Sequence, residues 1–440
     1  MERDITAQLL NWSKEHSHKP LIIRGARQVG KTFTIREFGN RYFPDNFIEF
    51  NFERDNSLNT IFKNDLNPQK IITELEIYSD KDIEKGKTLL FFDEIQSCPR
   101  AILALRYFYE EIPDLHIIAA GSLLEFSLGN ISFPVGRVEL LKMHPMNFSE
   151  FILAMGHRLI LKKVSNINLL TSDIIHSKLT VLLNQYFIIG GMPEAVSEFI
   201  KTQNYRKVRK VHSNLLETYY QDFNKYKPKV DATCLSTVFT SVAQNTGSQI
   251  KYSRLCNNFS NPTIHKAFDA LRKANLFTVV KAASPAGLPL EAGVSSKKFK
   301  TIFLDIGLLS YFLGGITSNI SGEKLLPIFK GAIAEQFVGQ ELLSVFQNVY
   351  YWARDSKSSM AEVDYLVNYK SSIIPIEVKS GAKGRLKSLH ILFDSYPDIT
   401  KAFVFNENKY ILQDADKIHF LPLYVAGMII RYIENTPAFI

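Results

Sequence analysis

Cysteine is scarce: Cys98, Cys234 and Cys256 are the only three in 440 residues, and they are scattered without C-x-x-C spacing. That excludes a disulfide framework and a thiolate zinc site, and it fits a reducing compartment. No uninterrupted apolar run approaches the roughly 18 residues of a membrane-spanning helix, so neither a span nor a membrane partner is expected. The opening residues, MERDITAQLL, carry charges where a secretory signal has its apolar stretch. The expected location is the cytoplasm. Acidic side chains are outnumbered, 44 against 52 Lys and Arg, which leaves a net charge of +8. Such a surplus favours polyanions such as DNA, although solvated lysines give the same balance. Apolar content of 46% and charged content of 22% are those of a globular chain. The length allows about two to four domains, each with its own core.

The most informative stretch is Pro20–Gly39. Leu21, Ile22 and Ile23 have strand character, and Phe33 to Phe38 reads as a helix. Between them Gly25-Ala26-Arg27-Gln28-Val29-Gly30-Lys31-Thr32 fits G-x-x-x-x-G-K-[ST] in the strand–loop–helix context the motif requires. Gly25 and Gly30 let the backbone turn so that its N–H groups cradle phosphate beside a helix N-terminus. Lys31 is placed to reach the terminal phosphates of a nucleotide, and the Thr32 hydroxyl to join a Mg²⁺ shell.

Ile5 to His16 reads as an amphipathic helix, Phe47–Asn51 as a strand and Asn59 to Ser79 as a helix. Thr88-Leu89-Leu90-Phe91-Phe92-Asp93-Glu94 is a buried parallel strand ending in two carboxylates. Asp93 is expected at the Mg²⁺ ion, and Glu94 as the base that activates a water. Pro99 to Glu111 is a helix, and Leu115–Ala120 a further strand whose end carries Ser122, placed to sense the γ-phosphate. With a glutamate beside Asp93 and no guanine-reading N-K-x-D string, the pattern points to ATP.

Together, GARQVGKT, LLFFDEIQSCPRAILALRYFYEE, IIAAGSLLEF and PVGRVELLKMHPMNFSEF resemble the bacterial and archaeal AAA-family ATPases of the AAA+ superfamily. The resemblance implies that Arg137, in the Gly-Arg after the sensor serine, faces the nucleotide of a neighbouring subunit. A surface ion pair with Glu139 or Glu150 is the other reading. It also implies that Tyr186 to Glu194 (YxxxGGxPE) opens the region after the core, where the glycines and Pro193 make a sharp corner between helices. Beyond it, Arg206, Lys207, Arg209, Lys210, Lys225, Lys227 and Lys229 form a basic belt.

Ser236 to Thr278 reads as three short helices, the third capped by Asn261 with Pro262 at its first position. The strand Phe277–Ala282, a Pro/Gly hairpin and Lys297-Lys298-Phe299-Lys300 follow. That order reads as a winged helix, whose third helix can enter a DNA groove or serve as a protein–protein spacer.

Pro327 to Phe346 is expected as a helix containing Glu335. Ala361–Asn368 and Ile373–Lys379 read as two strands joined at Lys370-Ser371. A two-residue turn sets Asn368 against Ile373 and Asp364 against Glu377, with Lys379 on the same face. Two carboxylates so placed repel unless a cation lies between them. This D…E-x-K arrangement resembles the PD-(D/E)XK nuclease superfamily, with Val363 in place of the proline. The resemblance implies that Glu335, Asp364 and Glu377 bind a metal and that Lys379 assists catalysis.

The fold expected is α/β: an AAA+ parallel-sheet core over 1–155, a helical lid over 156–230, a winged helix over 231–318 and a restriction-endonuclease-like domain over 319–440. The function expected is Mg-ATP hydrolysis linked to DNA, with a metal-dependent nuclease at the C-terminal end, in a homo-oligomer. The competing expectation is a nucleotide-controlled switch that gates a protein partner and whose last domain binds without cutting.

Overall fold

The computed structural model describes residues 1–122, 133–164, 166–226, 230–314, 330–354, 361–379, 386–410 and 417–434. They form two compact units: Met1–Pro145 with Lys273–Asn275, and Met146–Arg272 with Leu276–Ile440.

The first unit is built on five strands, β1 (Leu21–Arg24), β2 (Phe47–Asn51), β3 (Leu89–Asp93), β4 (His116–Gly121) and β5 (Glu139–Lys142). They lie in the order β2-β3-β4-β1-β5, with every pairing parallel. β3 and β4 are buried along their whole length, as their unbroken apolar runs require. One face presents Ile22, Phe50, Leu90, Phe92 and Ile117 to helices α4 (Pro68–Ser79) and α5 (Pro99–Glu111). Each such side chain contributes about 1.5–3 kcal/mol by leaving water. The helix expected over 59–79 is divided into α3 (Leu58–Ile61) and α4. Pro68 has no N–H to donate within a continuous helix, so it sits at the start of α4, where Asn67 caps the N–H of Lys70 at 3.1 Å.

The second unit carries a seven-stranded mixed sheet, in the order β12-β11-β10-β9-β8-β6-β7. Its members are β6 (Phe277–Ala283), β7 (Val294–Phe303), β8 (Tyr350–Ala353), β9 (Glu362–Tyr369), β10 (Ser372–Val378), β11 (Ala402–Asn406) and β12 (Ile418–Pro422). Helices over Ala232–Gln244, Tyr252–Leu255 and Asn261–Lys273 precede the antiparallel β6–β7 ribbon. The third helix begins one residue earlier than its sequence cap implied: the carbonyl of Ser260, not of Asn261, accepts from Thr263 and Ile264. β6 pairs in parallel with β8, so the stretches read as separate domains, 231–318 and 319–440, share one sheet.

The helix Lys330–Val345 joins these parts through polar side chains. Gln336 exchanges hydrogen bonds with both backbone groups of Phe303, Gln340 accepts from Ile306 N–H and donates to the Tyr186 hydroxyl, and Glu341 accepts from Phe148 N–H. His212 is buried beside the Ile189 carbonyl, 3.0 Å from Nε2. Burial, the largest influence, pulls its pKa from 6.5 down to about 4. The unfolded chain therefore binds the proton first, so this stability is full above pH 6.5 and drains away as pH falls towards 4. The loss should reach about 3 kcal/mol. His212→Gln should melt with a visibly flatter dependence between those values; identical curves would refute the assignment.

Candidate functional site

The phosphate-cradle motif follows β1 and ends in helix α2 (Lys31–Tyr42). Gly25 lies at φ 155°, and a Cβ there would stand 2.3 Å from the Met143 carbonyl oxygen. A side chain would push the loop off the backbone that follows β5. Gln28 and Gly30 take positive φ of 64° and 97°, which turns the chain into the helix. Arg3 braces the loop from outside, donating to the carbonyls of Val29 (2.9 Å) and His144 (2.6 Å). Lys31 is buried, and its Nζ donates to Gly25 O at 3.0 Å and Ala26 O at 2.8 Å. Burial is the main cause that lowers its pKa to about 8, opposed by Glu94 and Asp93. Such an ammonium is poised to gain from an added anion.

Asp93 ends β3 beside Thr32, whose hydroxyl lies 3.1 and 3.2 Å from the two carboxylate oxygens. The parallel register places Asn51 opposite Asp93, and its amide donates to Oδ2 at 3.0 Å. Burial, then the neighbouring Glu94, raises the Asp93 pKa to about 6. A hydroxyl and a desolvated carboxylate form a hard-oxygen donor pair that suits Mg²⁺. Glu94 has left-handed backbone, φ 51° and ψ 41°, and its Oε2 accepts from the Gln96 amide. That conformation costs a non-glycine residue about 1–2 kcal/mol, and here it turns the carboxylate out of the strand. Ser122, buried at the end of β4, accepts from Arg27 Nε at 3.3 Å, which ties the expected sensor to the loop. Arg137 is half exposed and pairs with Glu110 at 2.8 Å.

The second unit gathers the other sequence candidates. The β9–β10 turn has the expected register, with Asn368 opposite Ile373. Pairing runs to Tyr365–Ile376, and the Asp364 carboxylate then takes the Val378 N–H at 2.7 Å. Lys379 reaches Glu377 Oε1 at 2.6 Å, while the buried Glu377 Oε2 has no partner among the described residues. Burial, then Asp364, raises Glu377 to about 7, against the lowering by Lys379. Glu335 meets Asp364 as expected, but around another group. Lys300 of β7 donates to Glu335 Oε1 at 2.9 Å, pairs with Glu362 and lies 4.0 Å from Asp364. Burial disfavours the Lys300 charge, yet the three carboxylates outweigh it and hold its pKa above the ordinary range. Among the described residues no group of three or more Asp, Glu, His or Cys side chains is spaced to hold a metal ion. With the Lys300 ammonium lodged among them, the carboxylates expected to bind a metal here do not fit a resident divalent ion.

Family models match three stretches of the chain. Residues 17–152 match the family model described as the AAA domain. The first unit carries most of this AAA domain. Residues 180–319 and 330–425 match two domains of unknown function, DUF8612 and DUF4143. A relative, the uncharacterised protein MJ1544 of Methanocaldococcus jannaschii, is 29% identical over 210 residues, 47% of this chain and 41% of its own length. The match thus spans less than half of either protein. Among solved structures, the Walker-type ATPase of Pyrococcus abyssi aligns at 14% identity over 71% of this chain and 95% of its own, with TM-score 0.45. The RuvB Holliday junction branch migration motor of Thermotoga maritima aligns at 14% identity over 63% and 89%, with TM-score 0.31.

Within the AAA domain the sequence had marked Gly25 to Thr32, Asp93, Glu94 and Ser122, and these lie around one loop. It had not marked Arg3, Asn51 or Gln96. Asn51 was legible in principle, as the last residue of a strand parallel to β3. Arg3 was not, because no local pattern ties it to Val29. No helix among the described residues is long and apolar enough to cross a membrane. Lys227 and Lys229 of the basic belt lie outside the described residues.

Proposed function

We propose that the protein hydrolyses ATP at the Gly25–Thr32 loop and uses the cycle to act on DNA from the cytoplasm. The observation that carries the reading is the join of loop and strand: Thr32, Asp93 and Asn51 in one hydrogen-bonded set, with Lys31 and Glu94 on either side. Lys31 neutralises phosphate charge, and the loop N–H groups orient the chain of phosphates. Thr32 and Asp93 are the residues that would hold Mg²⁺, which supplies charge neutralisation on the terminal phosphates. Glu94 accepts the proton of the attacking water, and Ser122 reports the γ-phosphate to the loop through Arg27. Arg137 is the finger that one copy in a homo-oligomer offers to the next, after release from Glu110.

The DNA reading rests on the +8 charge and on the order of three helices and a ribbon over 232–303, which supports a winged helix. The exposed Lys266 and Lys297 lie on its third helix and second strand. ATP turnover should rise with duplex DNA at low salt and lose that rise as salt increases. Lys266→Ala/Lys297→Ala should lower the slope of log affinity against log salt by about 2. No DNA binding and no change in turnover at low salt would defeat the DNA half of the reading and leave ATP hydrolysis standing. The Lys300 cluster favours a second reading for the C-terminal part, a nuclease-like domain over 319–440 that binds without cutting while ATP gates a protein partner.

A further inference from the structure

The carboxylates expected to collect a divalent ion are arranged around a lysine. We propose that the ammonium of Lys300 is the permanent cation of the Glu335–Glu362–Asp364 cluster and occupies the place a metal would take, so that no divalent ion binds there.

Four observations carry this. Lys300 projects from the interior of β7, with its side chain only 4% exposed, so the charge cannot reach bulk water. Its Nζ meets Glu335 and Glu362 directly and Asp364 at 4.0 Å. The Tyr351 ring lies 5.2 Å from Nζ, an aromatic face of the kind that stabilises an ammonium. Tyr365 fixes the arrangement by donating to the Glu335 backbone carbonyl at 2.8 Å. A lysine is a compact point charge with three donors, and three carboxylates are what such a group needs when it is buried. A divalent ion bound to Glu335 and Asp364 would stand against this ammonium, and two cations at contact distance repel strongly in a buried site. The cluster therefore holds one or the other. The strand that supplies Lys300 also carries the exposed Lys297, so the cation is part of the β6–β7 ribbon and not a side chain of the nuclease-like segment itself.

This inference is independent of ATP hydrolysis and is tested on the full chain without nucleotide, with Mn²⁺ as the probe. Electron paramagnetic resonance of the wild type should find no saturable Mn²⁺ site that Asp364→Asn removes, and Asp364→Asn should not change how Mn²⁺ or chelator shifts the melting temperature. Lys300→Met removes the charge and leaves buried carboxylates unpaired. It should lose on the order of 10 °C in chelator. It should gain one saturable Mn²⁺ site and recover most of that loss when Mn²⁺ is added. Lys300→Arg should fold and bind no Mn²⁺. Should Lys300→Met fail to fold, the double variant Lys300→Met/Glu335→Gln decides, since removing a positive and a negative partner together should restore folding. One Mn²⁺ bound by the wild type and lost in Asp364→Asn would overturn the proposal. So would a Lys300→Met protein that is as stable as wild type and takes no metal, or a double variant that does not fold.

Discussion

Glu94→Gln is expected to slow ATP turnover about 10²–10⁴-fold, the usual cost of losing a positioned general base. ATP affinity should stay close to that of the wild type, because in the proposed mechanism Lys31, Thr32 and Asp93 make the phosphate and ion contacts and are untouched. The structural reason for the split is the corner at the end of β3. The strand is buried throughout, so Asp93 is held inward against Thr32. The next residue turns into left-handed backbone, and its carbonyl accepts the Ser97 N–H at 3.0 Å, which fixes the turn. Glutamine has nearly the same shape and hydrogen-bonding reach but no basic oxygen pair. Turnover and equilibrium nucleotide binding, measured side by side with Lys31→Ala, give the test. Lys31→Ala should lose affinity itself, since a buried ammonium that neutralises phosphate is gone. Wild-type turnover in Glu94→Gln would remove Glu94 from the mechanism.

The second large effect concerns stability. Gly191→Ala should destabilise the second unit by about 4 kcal/mol or more, in the range reserved for clashes that no rotamer relieves. A Cβ at Gly191 would stand 1.9 Å from the Met146 carbonyl oxygen and 2.8 Å from the Met146 nitrogen and carbonyl carbon, all of them backbone. The same glycine is bonded on both sides. Its N–H donates to Asp305 Oδ2 at 2.6 Å, and its carbonyl accepts from Met146 N–H at 2.7 Å. Asp305 is buried and also caps the Leu308 N–H at 3.0 Å, so a shift at Gly191 also disturbs the helix that starts there. Gly287→Ala is the control: nothing lies within 4 Å of its Cβ position, and the change should stay within about 0.5 kcal/mol. Thermal or urea unfolding of the two variants gives the comparison. Equal stability would show that the corner is loose and that its glycines have a role other than packing.

Where structure follows from neighbours in the chain, the sequence was sufficient. The loop from Gly25 to Thr32, the strand ending in Asp93-Glu94 and the two-residue turn at Lys370-Ser371 were legible because a periodicity of two, a glycine or a turn length fixes them locally. The register of β9 and β10 followed from that turn alone. Helix boundaries were less legible. Asn67 and Pro68 restarted a helix that apolar spacing had run through, and Ser260 took the cap expected of Asn261, since several polar residues in a row can each serve.

The residue types and spacing by themselves determined that this chain carries a phosphate cradle, a carboxylate strand to serve it and an acidic hairpin further on. Tertiary structure decided which partners those groups meet. Asn51 joins Asp93 only because β2 lies beside β3. Lys300 lies 35 positions from Glu335, and its strand reaches the acidic hairpin only because β6 pairs with β8. The physical reason is that strand pairing is set by how whole apolar faces are buried, and that sum over distant residues leaves no local mark on the lysine it brings into place.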